Sequence, residues 1–179
     1  MRNEKQAIKL LKQQNEDAFD YLYFKYVRLV YHVIFLLVEN KADAEDLVQD
    51  TFIKAYNAIN SFNIKNNFKY WLLTIAKNNA YDFLRKKKRI TLNYDLEQIA
   101  SFDDNEESDF HKILSKYKTI LKKDEYDIIT LHLFENLKFK DIAVIYDKTT
   151  SSVNNIYIRG INKIKKYVRE TNYLKSSDK

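Results

Sequence analysis

Apolar residues recur every three or four positions through most of this chain, in blocks separated by short polar stretches. Such spacing predicts helices with one buried face. After "QQNED" a helix is expected with Asn15 as its N-cap and acids behind it, carrying Ala18, Phe19, Leu22, Tyr26 and Leu29 at helical spacing. A second helix, from about Ala42 to Asn60, sets Ala44, Leu47, Val48, Thr51, Phe52 and Ala55 on one face. The polar stretch "NSFNIKNN" breaks the pattern, and a third helix from about Phe68 to Arg89 ends in the basic run "RKKKR". Residues 90–109 carry little pattern. Four shorter helices are then expected at 110–121, 124–135, 138–146 and 150–170, with no internal repeat.

Composition narrows the fold class. The chain has 179 residues, no proline and a single glycine, Gly160. Hairpins and bulges depend on those two residue types, so the expectation is an all-α fold of two small helical domains. Apolar residues make up 45% of the chain, with 14 Tyr and 11 Phe, which is enough to pack cores. The absence of cysteine excludes disulfides and thiolate metal sites. The longest apolar run, "VYHVIFLLV" at 30–38, is about half of what a bilayer span needs, so it is expected in a core helix and not in a membrane. The N-terminus shows no signal-peptide core, and a cytoplasmic location is the expectation. Lys, Asn and Ile are heavily used, a bias that an AT-rich genome also produces.

Charge divides the chain. From Ile90 to Phe110 there is no Lys or Arg, and seven acids are present: Asp95, Glu97, Asp103, Asp104, Glu106, Glu107 and Asp109. The expected organisation is therefore a basic domain at 1–89, an acidic flexible linker at 90–109 and a second basic domain at 110–179. Basic faces of this kind commonly hold phosphates.

In the second block, "LKFKDIAVIYDKTTSSVNNIYIRGINKIKKYV" joins a short amphipathic helix (Phe139, Ile142, Ala143, Tyr146) to a longer one through the turn "DKT". Thr149 suits the N-cap of the longer helix. Val153, Tyr157, Gly160, Ile161, Ile164 and Val168 form its inward stripe. Ser151, Ser152, Asn154, Asn155, Ile158 and Arg159 are left outward. This is the pattern of a helix-turn-helix. Asn can hold adenine by its N6 and N7 edge, Ser bonds either way, and Arg reaches guanine or phosphate. Lys163, Lys165 and Lys166 are placed for the backbone. The alternative is a helical hairpin with a solvated polar face.

In the first block, "NFKYWLLTIAKNNAYDFLRKKKR" interleaves aromatic and basic residues. Leu72, Ile75, Ala76, Asn79, Phe83 and the body of Trp71 are expected inward; Lys69, Tyr70, Lys77, Asn78, Tyr81, Arg85 and Lys88 are expected outward. Cations track phosphates and aromatic faces stack unpaired bases, a combination suited to single strands. The preceding helix differs. With Leu47, Val48, Phe52 and Ala55 inward, Asp46, Gln49, Asp50, Ile53 and Asn57 share its outer face. Phosphate is repelled there, so the face is a candidate for docking a basic protein surface or is simply solvated.

These stretches resemble a known family. "DAEDLVQDTFIKAY" resembles region 2.2 of the sigma-70 family of bacterial RNA polymerase sigma factors, "FKYWLLTIAKNNAYDFLRKKKR" resembles regions 2.3 and 2.4, and the helix-turn-helix resembles region 4.2. Their order and separation resemble the extracytoplasmic-function type (group 4), which has only domains 2 and 4. The resemblance implies a transcription initiation factor without catalysis or cofactor, whose partners are core RNA polymerase (the β′ clamp helices and the β subunit) and promoter DNA. It also admits an anti-sigma factor. It assigns Asp43, Glu45, Asp46, Gln49, Asp50 and Ile53 to polymerase docking. The loop with Phe62, Asn63, Lys65, Asn66 and Asn67, followed by Lys69, Tyr70, Lys77, Asn78, Tyr81, Arg85 and Lys88, would take the −10 element. Ser151, Ser152, Asn154, Asn155, Ile158, Arg159 and Lys163 would take the −35 duplex. Some positions depart from the family pattern: Asp147 replaces the turn glycine, Lys148 the apolar turn residue and Lys122 a helix-opening proline. Ile156 and Ile158 stand where polar or basic residues are frequent.

A flexible linker of about 20 residues spans about 25 Å on average and at most about 70 Å. Promoter elements one and a half to two DNA turns apart lie roughly 55–70 Å from each other. A scaffold such as the polymerase would therefore have to stretch the linker, and its acids would mimic RNA in a cationic channel. The rival function is a helix-turn-helix regulator that never docks on polymerase. No sustained heptad seam supports the dimer such a regulator usually forms, so the free protein is expected as a monomer. His32, His111 and His132 lie far apart without a metal or nucleophile motif, which argues against an enzyme.

Overall fold

A computed structural model describes residues 3–91, 116–133 and 135–177. The chain divides into two compact units, Met1–Ser101 and Phe102–Lys179. Every regular element among the described residues is helical. Most of the proposed 90–109 linker, with its acids, and residues 110–115 of the proposed helix 110–121 lie outside the described residues.

The first unit contains α1 (Glu4–Leu11), α2 (Glu16–Val38), α3 (Lys41–Ala58), a 3-10 turn at Ile59–Ser61 and α4 (Phe68–Thr91). Asparagine starts the first three helices. Asn3 accepts the Lys5 amide at 3.0 Å, Asn15 that of Ala18 at 2.9 Å, and Asn40 that of Asp43 at 2.9 Å. Each side chain thereby satisfies a donor that the helix itself cannot. α2, α3 and α4 pack against one another, and α1 lies on α2. By length and composition α2 could cross a membrane. Here its Val30, Val33 and Ile34 are buried inside the unit, while Asp20, Lys25 and Arg28 stay exposed.

α1 lies ahead of the helices expected from the sequence, although its buried Ala7, Ile8 and Leu11 stand at helical spacing. It is fastened by Glu4, whose carboxylate takes Lys25 Nζ and the Tyr26 hydroxyl, both at 2.5 Å. Burial alone would raise the Glu4 carboxyl, but Lys25 and Tyr26 together hold it below its usual range. In α4 the buried side extends beyond the expected stripe: Leu73 and Ala80 are buried beside Leu72, Ala76 and Asn79. The reason is that α4 faces both α2 and α3, so one stripe undercounts its core. The Asn79 amide donates to the Leu47 carbonyl at 3.1 Å and to Thr51 Oγ1 at 3.3 Å, and Lys54 donates to its oxygen.

The second unit contains α5 (Lys123–Leu133), α6 (Phe139–Ile145) and α7 (Thr150–Ser177). α7 runs seven residues beyond its expected end, and residues 116–120 form turns, not the end of a helix. Leu121 and Ile129 form a core with Tyr157, Ile161 and Ile164 from α7. Val168, expected inward, is exposed; Ile156 takes a buried place on the stripe instead, which explains an apolar residue there. Asp147 adopts the left-handed conformation (φ 51°), and the Lys148 amide reaches back to the Ala143 carbonyl at 2.9 Å to close α6. Thr149 then caps α7, its hydroxyl accepting the Ser152 amide at 3.1 Å.

Glu125 joins α5 to α7. Its side chain is only 2% exposed, and it accepts Lys163 Nζ at 2.6 Å, with Arg159 Nε at 3.8 Å. The same carboxylate accepts the Lys122 amide at 2.9 Å, the back half of a capping box. Burial pushes the Glu125 carboxyl up. The hydrogen bonds from Lys163 and Lys122, with the charges of Lys163 and Arg159, outweigh that and hold it below its ordinary value of 4.5. Glycine at 160 permits the approach. A Cβ there would meet Ile129 Cδ1 at 2.7 Å and Glu125 Cβ at 3.2 Å.

Gly160→Ala should gain about 1 kcal/mol of helix propensity but lose about 1–3 kcal/mol to overpacking. A net destabilisation of roughly 1 kcal/mol in urea denaturation is expected. Glu125→Gln should cost about 1.5–3 kcal/mol at pH 7, the range for hydrogen bonds to a charged group. Because the folded carboxyl titrates below its ordinary 4.5, its contribution is complete above that value and is lost as the pH falls through the lower one. The variant should therefore lose less stability than the parent between pH 5 and pH 3, measured by the same denaturation.

Candidate nucleic-acid and protein-docking surfaces

α3 separates its two faces cleanly. Ala44, Leu47, Val48, Thr51, Phe52 and Ala55 are buried, while Glu45, Asp46, Gln49, Asp50 and Ile53 are exposed. Asp46, Gln49, Asp50 and Ile53 follow the i, i+3, i+4, i+7 rule and form one ridge. Ile53 is 56% exposed, a large apolar residue among acids. Asp43 differs: its carboxylate pairs with Lys87 of α4 at 2.8 Å, so it braces the unit. On α2, Phe24 is 75% exposed and stands edge-on to Tyr23, whose ring lies 4.7 Å from Phe52 of α3. Sequence reasoning missed Phe24 because a helical stripe assigns such a residue neither to the core nor to a motif.

The loop before α4 is stiffened by its own asparagines. Asn63 Oδ1 accepts the Lys65 amide at 3.0 Å, and Asn67 Oδ1 accepts the Tyr70 amide at 3.4 Å at the start of α4. Lys12, just past α1, donates to the Phe62 carbonyl at 2.7 Å and to that of Asn60 at 3.3 Å. This anchor spans some fifty positions of sequence, so no local signal could have revealed it. Asn63, Lys65, Asn66 and Asn67 are exposed.

Phe62 corrects an expectation. Its side chain is 3% exposed, packed 5.0 Å from the Trp71 ring and 5.6 Å from that of Phe68. It forms the floor of the loop and offers no face for a base. Along α4, Asn78, Tyr81, Arg85 and Lys88 are exposed, and Lys69, Tyr70 and Lys77 are half-buried. Lys69 lies 5.4 Å from the centre of the Tyr70 ring and Lys77 6.0 Å from that of Tyr81. Arg85 is paired with Asp82. The face thus alternates cations with aromatic rings.

On α7, Ser151, Asn155, Ile158 and Arg159 are exposed, and Ser152 and Asn154 are half-buried. Lys163 is placed differently from expectation. It turns towards Glu125, 38 positions away in sequence, and acts as a strut between helices. Asn162, which the sequence reading passed over, is exposed one turn beyond Ile158. His132 accepts no functional assignment: its ring contacts the Leu137 carbonyl at 2.8 Å through Nδ1 and packs on Phe139 and Tyr157. Among the described residues no group of three His, Cys, Asp or Glu is placed to hold a metal.

Comparison with known proteins gives these surfaces their context. The Sigma-70 region 2 family model matches residues 22–90. SigM of Bacillus subtilis, an ECF RNA polymerase sigma factor, is 28% identical over 153 residues, covering 82% of this chain and 92% of SigM. SigV of the same organism is 32% identical over 139 residues, covering 73% of this chain and 79% of SigV. The ECF sigma-E factor of Haemophilus influenzae is 30% identical over 167 residues, covering 85% and 88%. The fold is shared with the sigma factor RpoE of Bartonella quintana, solved with the anti-sigma factor NepR. That likeness has a TM-score of 0.65 at 24% identity over 84% of this chain and 96% of RpoE. CnrH, solved with the cytosolic domain of CnrY, gives 0.62 at 19% identity over 93% and 97%. With two units whose described elements are all helical and relatives of this identity and coverage, the chain belongs to the sigma-70 family of RNA polymerase sigma factors, in the extracytoplasmic-function group of non-enzymatic initiation factors.

Proposed function

We propose that this sigma factor docks on core RNA polymerase through the outer ridge of α3 and brings two DNA-binding faces to a promoter in the cytoplasm. The carrying observation is the exposure pattern: Asp46, Gln49, Asp50 and Ile53 point to solvent in a chain with a formal net charge of +6. An exposed acidic ridge repels DNA and suits a basic protein surface, with Ile53 as an apolar anchor at its end. The β′ clamp helices are the expected partner. The RpoE complex with the anti-sigma factor NepR supports an anti-sigma factor as a second protein partner.

The loop at 61–67 and the outward side of α4 take the −10 element. Asn63, Lys65, Asn66 and Lys69 approach the strand, Tyr70 and Tyr81 offer ring faces, and Lys77, Asn78, Arg85 and Lys88 follow the backbone. Unstacking one base costs a few kcal/mol, which phosphate contacts on a rigid loop offset. Lys12 holds that loop in place, and Phe62 supports it from beneath. Ser151, Asn154, Asn155, Ile158 and Arg159 read the −35 duplex from the major groove. Lys163, through Glu125, holds α7 at its angle.

Adding the protein to core RNA polymerase should produce promoter-specific run-off transcripts; their absence refutes the proposal. Reversing Asp46 and Asp50 to lysine should weaken association with core polymerase more than tenfold, since like-charge juxtaposition costs several kcal/mol. Circular dichroism should be unchanged, because both residues are exposed. Asn155→Ala should lose about 1–3 kcal/mol of discrimination at a single −35 position, measured by competition binding; an equal loss on all sequences would mark a phosphate contact instead.

A further inference from the structure

One large apolar side chain stands among exposed polar and basic residues on the outward face of α7. Ile158 is 46% exposed, and Ser151, Asn155, Asn162, Lys165 and Lys166 are exposed around it. Asn155 and Asn154 precede it by three and four positions and Asn162 follows by four, so it stands at the centre of the face and not at its edge. The core does not require it. Ile156, two positions earlier, is buried and meets the packing demand of that turn.

A single exposed isoleucine on a protein surface is ordinary. This one is enclosed by amides and ammonium groups, which disfavour an apolar protein partner. The DNA major groove is the polyanionic surface that also carries an apolar group of matching size. The thymine 5-methyl projects there beside hydrogen-bonding base edges that asparagines can read. Cytosine presents no methyl at that position. We propose that Ile158 is a specificity-determining residue that packs on one thymine methyl of the −35 duplex, with Asn154 and Asn155 directed at the adjacent base edges. This rests on α7 being the helix that enters the major groove.

Uracil differs from thymine only by the missing methyl, so it isolates this contact. A −35 element is first selected by the holoenzyme, formed from the full chain and core polymerase, from a duplex pool randomised across that region. Each thymine of the selected element, on either strand, is then replaced singly by uracil and measured in competition binding. The parent holoenzyme should lose roughly three- to fivefold in affinity at one thymine, the effect of one buried methyl. Ile158→Ala holoenzyme should bind the thymine and uracil duplexes equally. The proposal is overturned if every uracil duplex binds the parent as well as thymine does, if the selected element lacks thymine, or if Ile158→Ala keeps the uracil penalty. It is also overturned if the substitution weakens only association with core polymerase, which would make Ile158 a protein contact. A pool that yields no −35 preference at all would instead refute the reading of α7 on which the proposal rests.

Discussion

Helices must end somewhere, and in this protein they do so with one glycine and no proline available. A helix leaves several amide and carbonyl groups unsatisfied at each end, and the chain must still reverse direction. Among the described residues, the non-glycine residues Gln14, Glu39, Asn136 and Asp147 take left-handed conformations to make these turns. Asparagine amides and the Thr149 hydroxyl cover the exposed helix starts. The one glycine is used where two helices need to touch, at Gly160 over Ile129 and Glu125. Lysine at 122 fits the same scheme: its amide is donated to Glu125, a bond that proline could not make.

Electrostatics then sorts the surfaces. On α3, Asp46 and Asp50 face outward, whereas Asp43 is drawn to Lys87. In the second unit the buried acids carry structure. Glu125 holds Lys163, Asp127 accepts the Tyr146 hydroxyl at 3.0 Å, and Asp141 accepts the Lys138 amide at 3.2 Å to close the start of α6. A buried carboxylate is tolerated only when paired and hydrogen-bonded. Satisfying Glu125 engages Lys163 as a strut and draws Arg159 to within 3.8 Å of the same carboxylate.

Aromatic residues divide in a similar way. Phe62, Phe68 and Trp71 cluster beneath the loop at 61–67. Phe19, Tyr23, Phe52 and Tyr56 join α2 to α3. Tyr81 and Phe24 are exposed. Rings of the same chemistry therefore serve as floor, seam and surface according to position alone.

The three longer helices of the first unit, the caps at Asn15 and Thr149 and the first part of the inward stripe of α7, from Val153 to Ile164, were legible in the sequence, because they depend on residues within a turn or two of one another. The opposition of acids and apolar residues on α3 was legible for the same reason, since helical period alone assigns the faces. The short α1 carries the same local signals, the Asn3 cap and Ala7, Ile8 and Leu11 at helical spacing, but over only two turns. Phe62 was misplaced because a loop has no period to say which way a ring points. The Lys12 anchor and the Lys163 strut were invisible because their partners lie 50 and 38 positions away. Sequence thus determined where the main helices lie and the principal buried face of each. Only tertiary packing decided which cations and rings remain at the surface, because a buried carbonyl or carboxylate claims its partner through space, without regard to distance along the chain.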